Sequence, residues 1–221
     1  MTTSSGSLYE QLFPLTTVMK QRFVDNFSGD TLGERWDYTL LNGTATGSMG
    51  DSINGGFNHT STATGGTSES ITTFNNKRQF NYLGAIFICI AGWSGTFAST
   101  RMMQRGGFKY ENGSGFNSGN LAGFAKPTAS PYNFQAMTAS SASGLTATDT
   151  TVSSTSADTF NVFKGELKSA SFDLTINGGT ATTNTTKLPT TKLQPYLYSW
   201  SYQPTAGSMT ASFNYYEAYN T

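Results

Sequence analysis

The chain has 221 residues, a length that suits one large β domain. Only 12% of its residues are charged, with thirteen basic and thirteen acidic side chains, so the summed field is too weak to attract a phosphate backbone, and nucleic acid is excluded as an expected partner. Aromatic residues make up 14% of the chain and supply the apolar surface that a packed core needs. Because Thr, Tyr and Phe favour pleated strands, the composition predicts an all-β fold.

Residues 1–22 form an apolar N-terminal segment that Pro14 interrupts, so they can hold at most one short helix. We interpret them as an arm that either packs back on its own domain or docks on a neighbour, with Leu8, Leu12, Phe13 and Leu15 as the docking residues. The segment has no basic start, no continuous apolar stretch and no small-residue cleavage site, and therefore predicts no secretion signal.

From residue 23 onward, short segments with a period of two alternate with turn clusters. Asn-Gly pairs at 42–43, 54–55, 112–113 and 177–178 are candidates for type I′ hairpins. The predicted strands are residues 36–41, 68–75, 81–92, 95–104, 106–111, 114–125, 159–165, 169–176, 193–202 and 207–219. A series of this kind favours a two-sheet antiparallel sandwich or jelly roll.

Two segments add detail to that pattern. Residues 82–93 are the longest apolar run but are too short to span a membrane as a helix, so they predict a buried strand in which Cys89 is an inert thiol. Residues 138–159 are rich in Ser and Thr, which fits a mobile loop or solvent-facing strands, and Thr favours strands. An uncharged edge without Lys or Pro invites pairing with another chain, so we expect a homo-oligomer, with a trimer as one form.

The stretch "DNFSGDTLGERWD" (residues 25–37) and the final segment "KLPTTKLQPYLYSWSYQPTAGSMTASFNYYEAYNT" (residues 187–221) resemble the two ends of concanavalin A-like (laminin-G-like) jelly-roll domains. The internal segments "NNKRQFNYLGAIFICIAGW" and "RGGFKYENGSGFNSGNLAGFAK" strengthen the likeness, and the combination resembles phage virion proteins. The resemblance implies a two-sheet antiparallel jelly-roll sandwich over residues 23–221, preceded by the arm, with Phe27 and Trp36 as core anchors.

Glycosidases of this superfamily carry a Glu-x-Asp-x-(x)-Glu arrangement, in which alternate positions of one strand bring carboxylates to one face. The sequence contains no such motif. Glu166 and Asp173 are seven positions apart, an odd offset that would place them on opposite faces even if one strand held both. We therefore expect no enzyme activity.

The acids Asp25, Asp30, Glu34 and Asp37 form a cluster that could coordinate calcium. Ordinary structural roles compete with this interpretation: Asp25 can accept backbone amides, and Asp30 can cap a turn. We expect the structural roles and no cofactor, with calcium as the alternative. His59, the only histidine, lies in a Gly- and Thr-rich stretch and is predicted to be a solvated or locally hydrogen-bonded loop residue.

Sugar rings stack on exposed aromatic faces, which makes aromatic side chains the best functional lead. The candidates for glycan stacking are Trp93, Tyr110, Trp200, Tyr202 and Tyr216. The competing interpretation is that each of them belongs to the core.

The first functional hypothesis is a non-enzymatic virion structural protein, a capsid-decoration or tail-associated protein. It would be assembled in the host cytoplasm, bind other virion proteins and itself, and touch host glycans, with no membrane partner. The alternative is a lectin-like carbohydrate-binding adhesion module. The third is a glycoside hydrolase that lacks the usual acid motif.

Overall fold

The computed structural model describes residues 22–28, 31–33, 36–50, 56–62, 66–74, 80–95, 99–110, 119–140, 143–203 and 205–221. Within these ranges the strands are β1 (Arg22–Asp25), β2 (Trp36–Asn42), β3 (Thr46–Met49), β4 (Phe57–Ser61), β5 (Gly66–Phe74), β6 (Ala85–Gly95), β7 (Met102–Lys109), β8 (Leu121–Lys126), β9 (Asn133–Ser140), β10 (Ser143–Ser153), β11 (Asn161–Leu167), β12 (Phe172–Ile176), β13 (Thr182–Asn184), β14 (Gln194–Gln203) and β15 (Met209–Asn220). One 3₁₀ turn, Ser99–Arg101, precedes β7. No helix in these ranges has the length and apolar character needed to cross a membrane.

The strands form two antiparallel sheets. The front sheet has the order β10-β9-β8-β7-β14-β5-β2, and the back sheet has the order β13-β12-β11-β6-β15-β4-β3, with β1 also paired to β15. The two sheets pack face to face over a shared core of large aromatic side chains. This arrangement confirms the predicted all-β, two-sheet antiparallel jelly-roll sandwich.

Aromatic rings from both sheets fill the space between them. Phe124 of the front sheet stacks on Phe163 of the back sheet, with ring centres 3.8 Å apart. Phe87, near the start of β6, contacts Phe108, Phe172 and Tyr216. The buried thiol of Cys89 also lies on this side of β6, as predicted, and burial raises its pKa.

The stretch at residues 25–37 has the predicted anchoring role. Phe27 and Trp36 are buried, with ring centres 5.6 Å apart. Asp25 accepts hydrogen bonds from the Phe27 backbone N–H at 2.7 Å and from Trp36 Nε1 at 2.9 Å. The Asp25 carboxylate therefore fixes the path of the chain between the two rings.

The sequence-based strand boundaries fail where glycine and threonine are frequent. β7 is continuous through residue 105, where the sequence predicted a break, because Gly106 and Gly107 stay in the ladder with β14. A side chain at Gly107 would overlap the β8 backbone, so the glycine permits close strand pairing. β3 and β4 lie between the predicted strands 36–41 and 68–75, where the sequence predicted no strand. β9 and β10 show that, for residues 138–159, strands were the right alternative to a mobile loop.

The prediction that His59 lies in a loop is wrong. His59 is a buried residue of β4, on the side that faces the front sheet. Its Nδ1 lies 3.1 Å from Ser199 Oγ and its Nε2 lies 2.8 Å from Thr72 Oγ1, so two hydroxyl groups satisfy both ring nitrogens. A second hydroxyl contact joins Ser199 to Ser70. The alternation of Gly, Thr and Asn around His59 hides a strand whose inward side chains are Phe57, His59 and Ser61.

Burial lowers the pKa of His59 from 6.5 to about 3. The unfolded chain therefore binds one more proton than the folded chain between these values, and stability falls as the pH drops below 6.5. Lowering the pH from 6.5 to 4.5 should remove about 2 kcal/mol through this group, because the full slope of about 1.4 kcal/mol per unit is reached only below the pKa of the unfolded chain. Urea unfolding of the wild type and of His59→Gln at both pH values measures the effect, and equal pH slopes in the two proteins would contradict it.

Gly165 of β11 lies directly under the rings of Phe87 and Phe172, and a methyl group there would overlap both of them. These rings are held on all sides, so Gly165→Ala should destabilise the fold by about 1–3 kcal/mol through overpacking. Gly144→Ala on β10 is the matched control, because nothing lies within 4 Å of the position that its new methyl group would take. Thermal unfolding compares the two variants, and a Gly165→Ala protein as stable as the control would refute the packing argument.

Candidate functional site

The outward side of the front sheet, here called the front face, carries a row of aromatic side chains along β14. Leu193, Leu197 and Ser199 point toward the back sheet, so the alternate residues point outward. These outward residues are Tyr196, Tyr198, Trp200 and Tyr202. The four rings therefore follow one another along a single strand in the middle of the sheet.

Polar groups from the neighbouring strands surround this aromatic row. The Tyr198 hydroxyl donates a hydrogen bond to Glu69 Oε1 at 2.9 Å, and Glu69 is the direct cross-strand partner of Trp200. On the other side, the Arg105 guanidinium lies 5.5 Å from the centre of the Tyr198 ring. Near the end of the row, the Arg101 guanidinium lies 5.4 Å from the Tyr202 ring. The row thus combines ring faces with a carboxylate and two guanidinium groups.

Accessibility increases along the row. Tyr196 and Tyr198 are buried, Trp200 is half-buried and Tyr202 is 39% exposed. Burial raises the pKa of Tyr196 to about 12. The pKa of Tyr198 is also raised, mainly by burial and in addition by the neighbouring Glu69 carboxylate. The accessible end of the row is therefore formed by Trp200 and Tyr202. The other end, Tyr196 and Tyr198, is packed inside the protein.

Hydroxyl and amide groups lie beside the accessible end. Thr67 of β5 is the cross-strand partner of Tyr202, and its Oγ1 accepts a hydrogen bond from Asn42 Nδ2 at 3.2 Å. Asn42 is exposed at the end of β2. A flat ring bordered by hydroxyl, amide and carboxylate groups is the combination that holds a polyhydroxylated ligand.

An apolar cluster lies on the part of the front face formed by the strands beyond β7. The side chains there come from β8, β9 and β10 and form a cluster of Leu121, Ala125, Met137, Ala139 and Leu145. The alternate residues of β8, Ala122 and Phe124, belong to the core between the sheets. Two basic residues of β7, Arg105 and Lys109, lie between this cluster and the aromatic row and are buried. The pKa of Lys109 is lowered, mainly by burial and in addition by the positive charge of Arg105.

The structure corrects the stacking assignment for two of the five predicted aromatic residues. Tyr216 is fully buried between Phe23, Trp36 and Phe87, so its ring has no free face. Trp93 is buried on the inward side of β6, where its Nε1 donates to the Ser154 carbonyl at 3.3 Å.

The ring of Trp93 is also covered by Lys126 Nζ, which lies 4.8 Å from the ring centre and donates to the Met102 carbonyl at 2.7 Å. Tyr110 is half-buried and packs against the core at the end of β7, away from the aromatic row. Of the predicted residues, only Trp200 and Tyr202 therefore come together on one face.

Of the four acids predicted as a calcium alternative, the structure describes two, Asp25 and Asp37. Asp30 and Glu34 lie outside the described residues, and both oxygens of Asp25 already accept hydrogen bonds. Asp37 points outward from β2, opposite to the inward Trp36. A cleft of about 450 Å³ lies beside Asp25, lined by Asn26, Ser28, Thr31 and neighbouring residues. Within the described ranges, no three His, Cys, Asp or Glu side chains are close enough together to hold a metal ion.

The docking residues predicted for the arm, Leu8, Leu12, Phe13 and Leu15, lie outside the described residues. Conversely, the prediction from sequence omitted Tyr196, Tyr198, Glu69 and Arg105. The segment "PYLYSWSYQ" contains the signal for the two tyrosines, because its aromatic residues recur at every second position. Glu69 and Arg105 could not be found in this way, since their place beside the row depends on which strands pair with β14.

No protein-family model and no curated protein matches the sequence. Among solved structures, the chain is similar to a native glycosidic hydrolase, with 16% sequence identity, a TM-score of 0.66, and coverage of 92% of this chain and 97% of the other. It is similar to a β-1,3-1,4-glucanase (lichenase) from a mouse hindgut metagenome, at 11% identity and a TM-score of 0.62, covering 90% and 99% of the two chains. It is also similar to the carbohydrate recognition domain of Emp47p, at 9% identity and a TM-score of 0.60, covering 90% and 94%.

These similarities overturn the expectation that the chain is not an enzyme. That expectation depended on one missing acid motif, yet two of the similar structures are a glycosidic hydrolase and a glucanase with the same fold along nearly their whole length. The exclusion of catalysis is therefore wrong. The chain has the concanavalin A-like jelly-roll fold, as its two terminal segments and its two sheets indicated.

Proposed function

We propose that the chain binds carbohydrate at the accessible end of the aromatic row on the front face. The observation that carries this proposal is the placement of Trp200 and Tyr202 at alternate positions of β14, with Glu69 and Thr67 as their cross-strand partners. The two rings offer apolar faces for sugar rings, and the carboxylate and hydroxyl groups offer partners for sugar hydroxyls. The similarity to a glucanase and to a carbohydrate recognition domain supports the same ligand class.

Trp200→Ala should weaken binding to a soluble β-1,3-1,4-glucan by about tenfold, since loss of one stacked ring removes about 1.4 kcal/mol. Trp200→Phe is the matched variant, because it keeps an aromatic face and should retain most of the affinity. Affinity electrophoresis of the wild type and both variants in gels with and without the glucan measures the effect. A wild type that migrates equally in the two gels, or equal retardation of all three proteins, would contradict a site at Trp200.

Hydrolysis of the bound glycan is the second candidate function. Glu69 favours it, because this carboxylate lies beside Trp200, where the sugar would stack, and is held in place by the Tyr198 hydroxyl. A carboxylate fixed next to a glycosidic bond can act as a general acid or base. The similarity to glycosidic hydrolases supports this chemistry for the fold.

We expect the wild type to release reducing ends from β-1,3-1,4-glucan, and Glu69→Gln to lose that release by at least about a hundredfold, the usual contribution of a general acid or base. The glutamine keeps the shape of the side chain and an acceptor for Tyr198, so glucan binding should persist. Reducing-end assays combined with the same gels separate the two effects. Release that survives in Glu69→Gln would remove this residue from the chemistry, and no release by the wild type would reject hydrolysis of this glucan.

The more specific role predicted from the sequence is that of a capsid-decoration or tail-associated protein on a virion, with other virion proteins, a second copy and surface glycans as partners. It stays a prediction. A glycan site on the front face would be compatible with it, because contact with host glycans was part of the hypothesis.

A further inference from the structure

The outward side of the back sheet, here called the back face, carries an apolar stripe. Phe87, Cys89 and Ala91 of β6 point into the core, so Ile86, Ile88 and Ile90 point outward. Ile88 and Ile90 are only half-buried. Three of the most exposed large apolar side chains in the described part of the chain lie around them: Phe160, Val162 and Val24 are 46%, 41% and 40% exposed.

The pairing register arranges the back face in three rows across β11, β6 and β15. One row is Val162, Ile90 and Tyr215, the next is Lys164, Ile88 and Glu217, and the third is Glu166, Ile86 and Tyr219. Lys164 and Glu217 therefore lie on opposite sides of Ile88, each one strand away from it. Opposite charges thus flank the apolar centre of the stripe at equal spacing.

We propose that two copies of this chain associate through their back faces, with the isoleucine row of one copy packed on that of the other. A twofold axis parallel to β6 exchanges the β11 side with the β15 side. It therefore places Lys164 of one copy opposite Glu217 of the second copy, and Glu217 opposite Lys164. The same rotation sets Val162 against Tyr215 and Glu166 against Tyr219. The face is self-complementary in both charge and apolar character, as an isologous interface requires.

The charges of the back face favour a second copy over a strongly charged partner. Three basic residues balance three acids here, so the face has no net sign that would attract an acidic or basic surface; they are Arg22, Lys164 and Lys168 against Glu166, Asp173 and Glu217. Glu217 is already oriented by Arg22 Nε at 2.9 Å and by the Tyr215 hydroxyl at 2.7 Å. Its side chain is only 11% exposed, so a lysine across the interface would meet a carboxylate that is already fixed and loses little conformational freedom.

The small size of the stripe indicates that the two copies associate weakly. Three rows on about four strands cover roughly 400 Å² per copy, from a strand spacing of about 4.8 Å and a repeat of about 6.8 Å for residues on one side. The two copies together would bury about 800 Å², which is below the size of stable specific interfaces and in the range of weak, transient contacts. We therefore expect a dimer that forms at micromolar to millimolar concentration and dissociates on dilution.

Sedimentation velocity of the full chain across this concentration range tests the proposal. The wild type should shift from monomer to dimer, and Val162→Asp should remain monomeric because it places a charge in the apolar row. Lys164→Glu should weaken the dimer at least about fivefold by setting like charges against each other. The double variant Lys164→Glu, Glu217→Gln should recover part of the association, since it removes the like-charge contact across the interface without placing a cation beside Arg22.

Lys192→Glu is the matched control, because it makes the same charge change at an exposed position away from the back face and should leave the dimer unchanged. Thermal unfolding of each variant confirms that the fold is retained. A wild type that stays monomeric throughout would overturn the proposal, as would a dimer that tolerates Val162→Asp or a Lys164→Glu, Glu217→Gln variant that associates no better than Lys164→Glu alone. None of these outcomes depends on carbohydrate binding, because the back face and the front face are on opposite sides of the sandwich.

Discussion

The packing of aromatic rings between the two sheets is the constraint on which the rest of the structure depends. Phe124 and Phe163 stack at 3.8 Å, and Phe87 meets rings from both sheets. Such large side chains fit only where the opposing strand has no side chain, and Gly106 and Gly165 provide that space. A side chain at Gly106 would overlap Phe124, and one at Gly165 would overlap Phe87. Interiors are packed at crystal-like density, so these glycines and rings fix the register of the central strands together.

That register decides what each sheet presents to solvent. Because residues alternate across a strand, placing Leu197 and Ser199 in the interior turns Tyr198 and Trp200 outward, and placing Phe87 and Cys89 in the interior turns Ile88 outward. A shift of one residue would bury the aromatic row and expose the core. The front and back faces are therefore consequences of the same interior packing, although their chemistry differs: aromatic rings with polar groups on one side, and isoleucines with balanced charges on the other.

The sequence allowed prediction of the parts of the fold in which hydrophobic alternation is strong. The strands around residues 36–41, 68–75 and 207–219 and the anchors Phe27 and Trp36 are found near their predicted places. Strands rich in polar residues, such as β4 and β10, show little hydrophobic alternation in the sequence. For the same reason His59, whose ring nitrogens contact buried hydroxyl groups, was predicted to lie in a loop. Whether an aromatic residue faces the core or solvent depends on sheet neighbours, and for that reason Trp93 and Trp200 could not be separated by sequence alone.

The two proposed surfaces together have a geometric consequence. If copies pair through their back faces, the front faces point in opposite directions, separated by two sandwiches. Two front-face sites on one dimer then cannot reach neighbouring sugars on one flat surface, so avidity on a single surface is excluded by geometry. They can instead engage two surfaces or two polysaccharide chains and link them. A back-to-back dimer with a weak interface would thus act as a reversible cross-linker whose bridging rises with local concentration, a behaviour that follows from the placement of Trp200 and Ile88 on opposite sides of one fold.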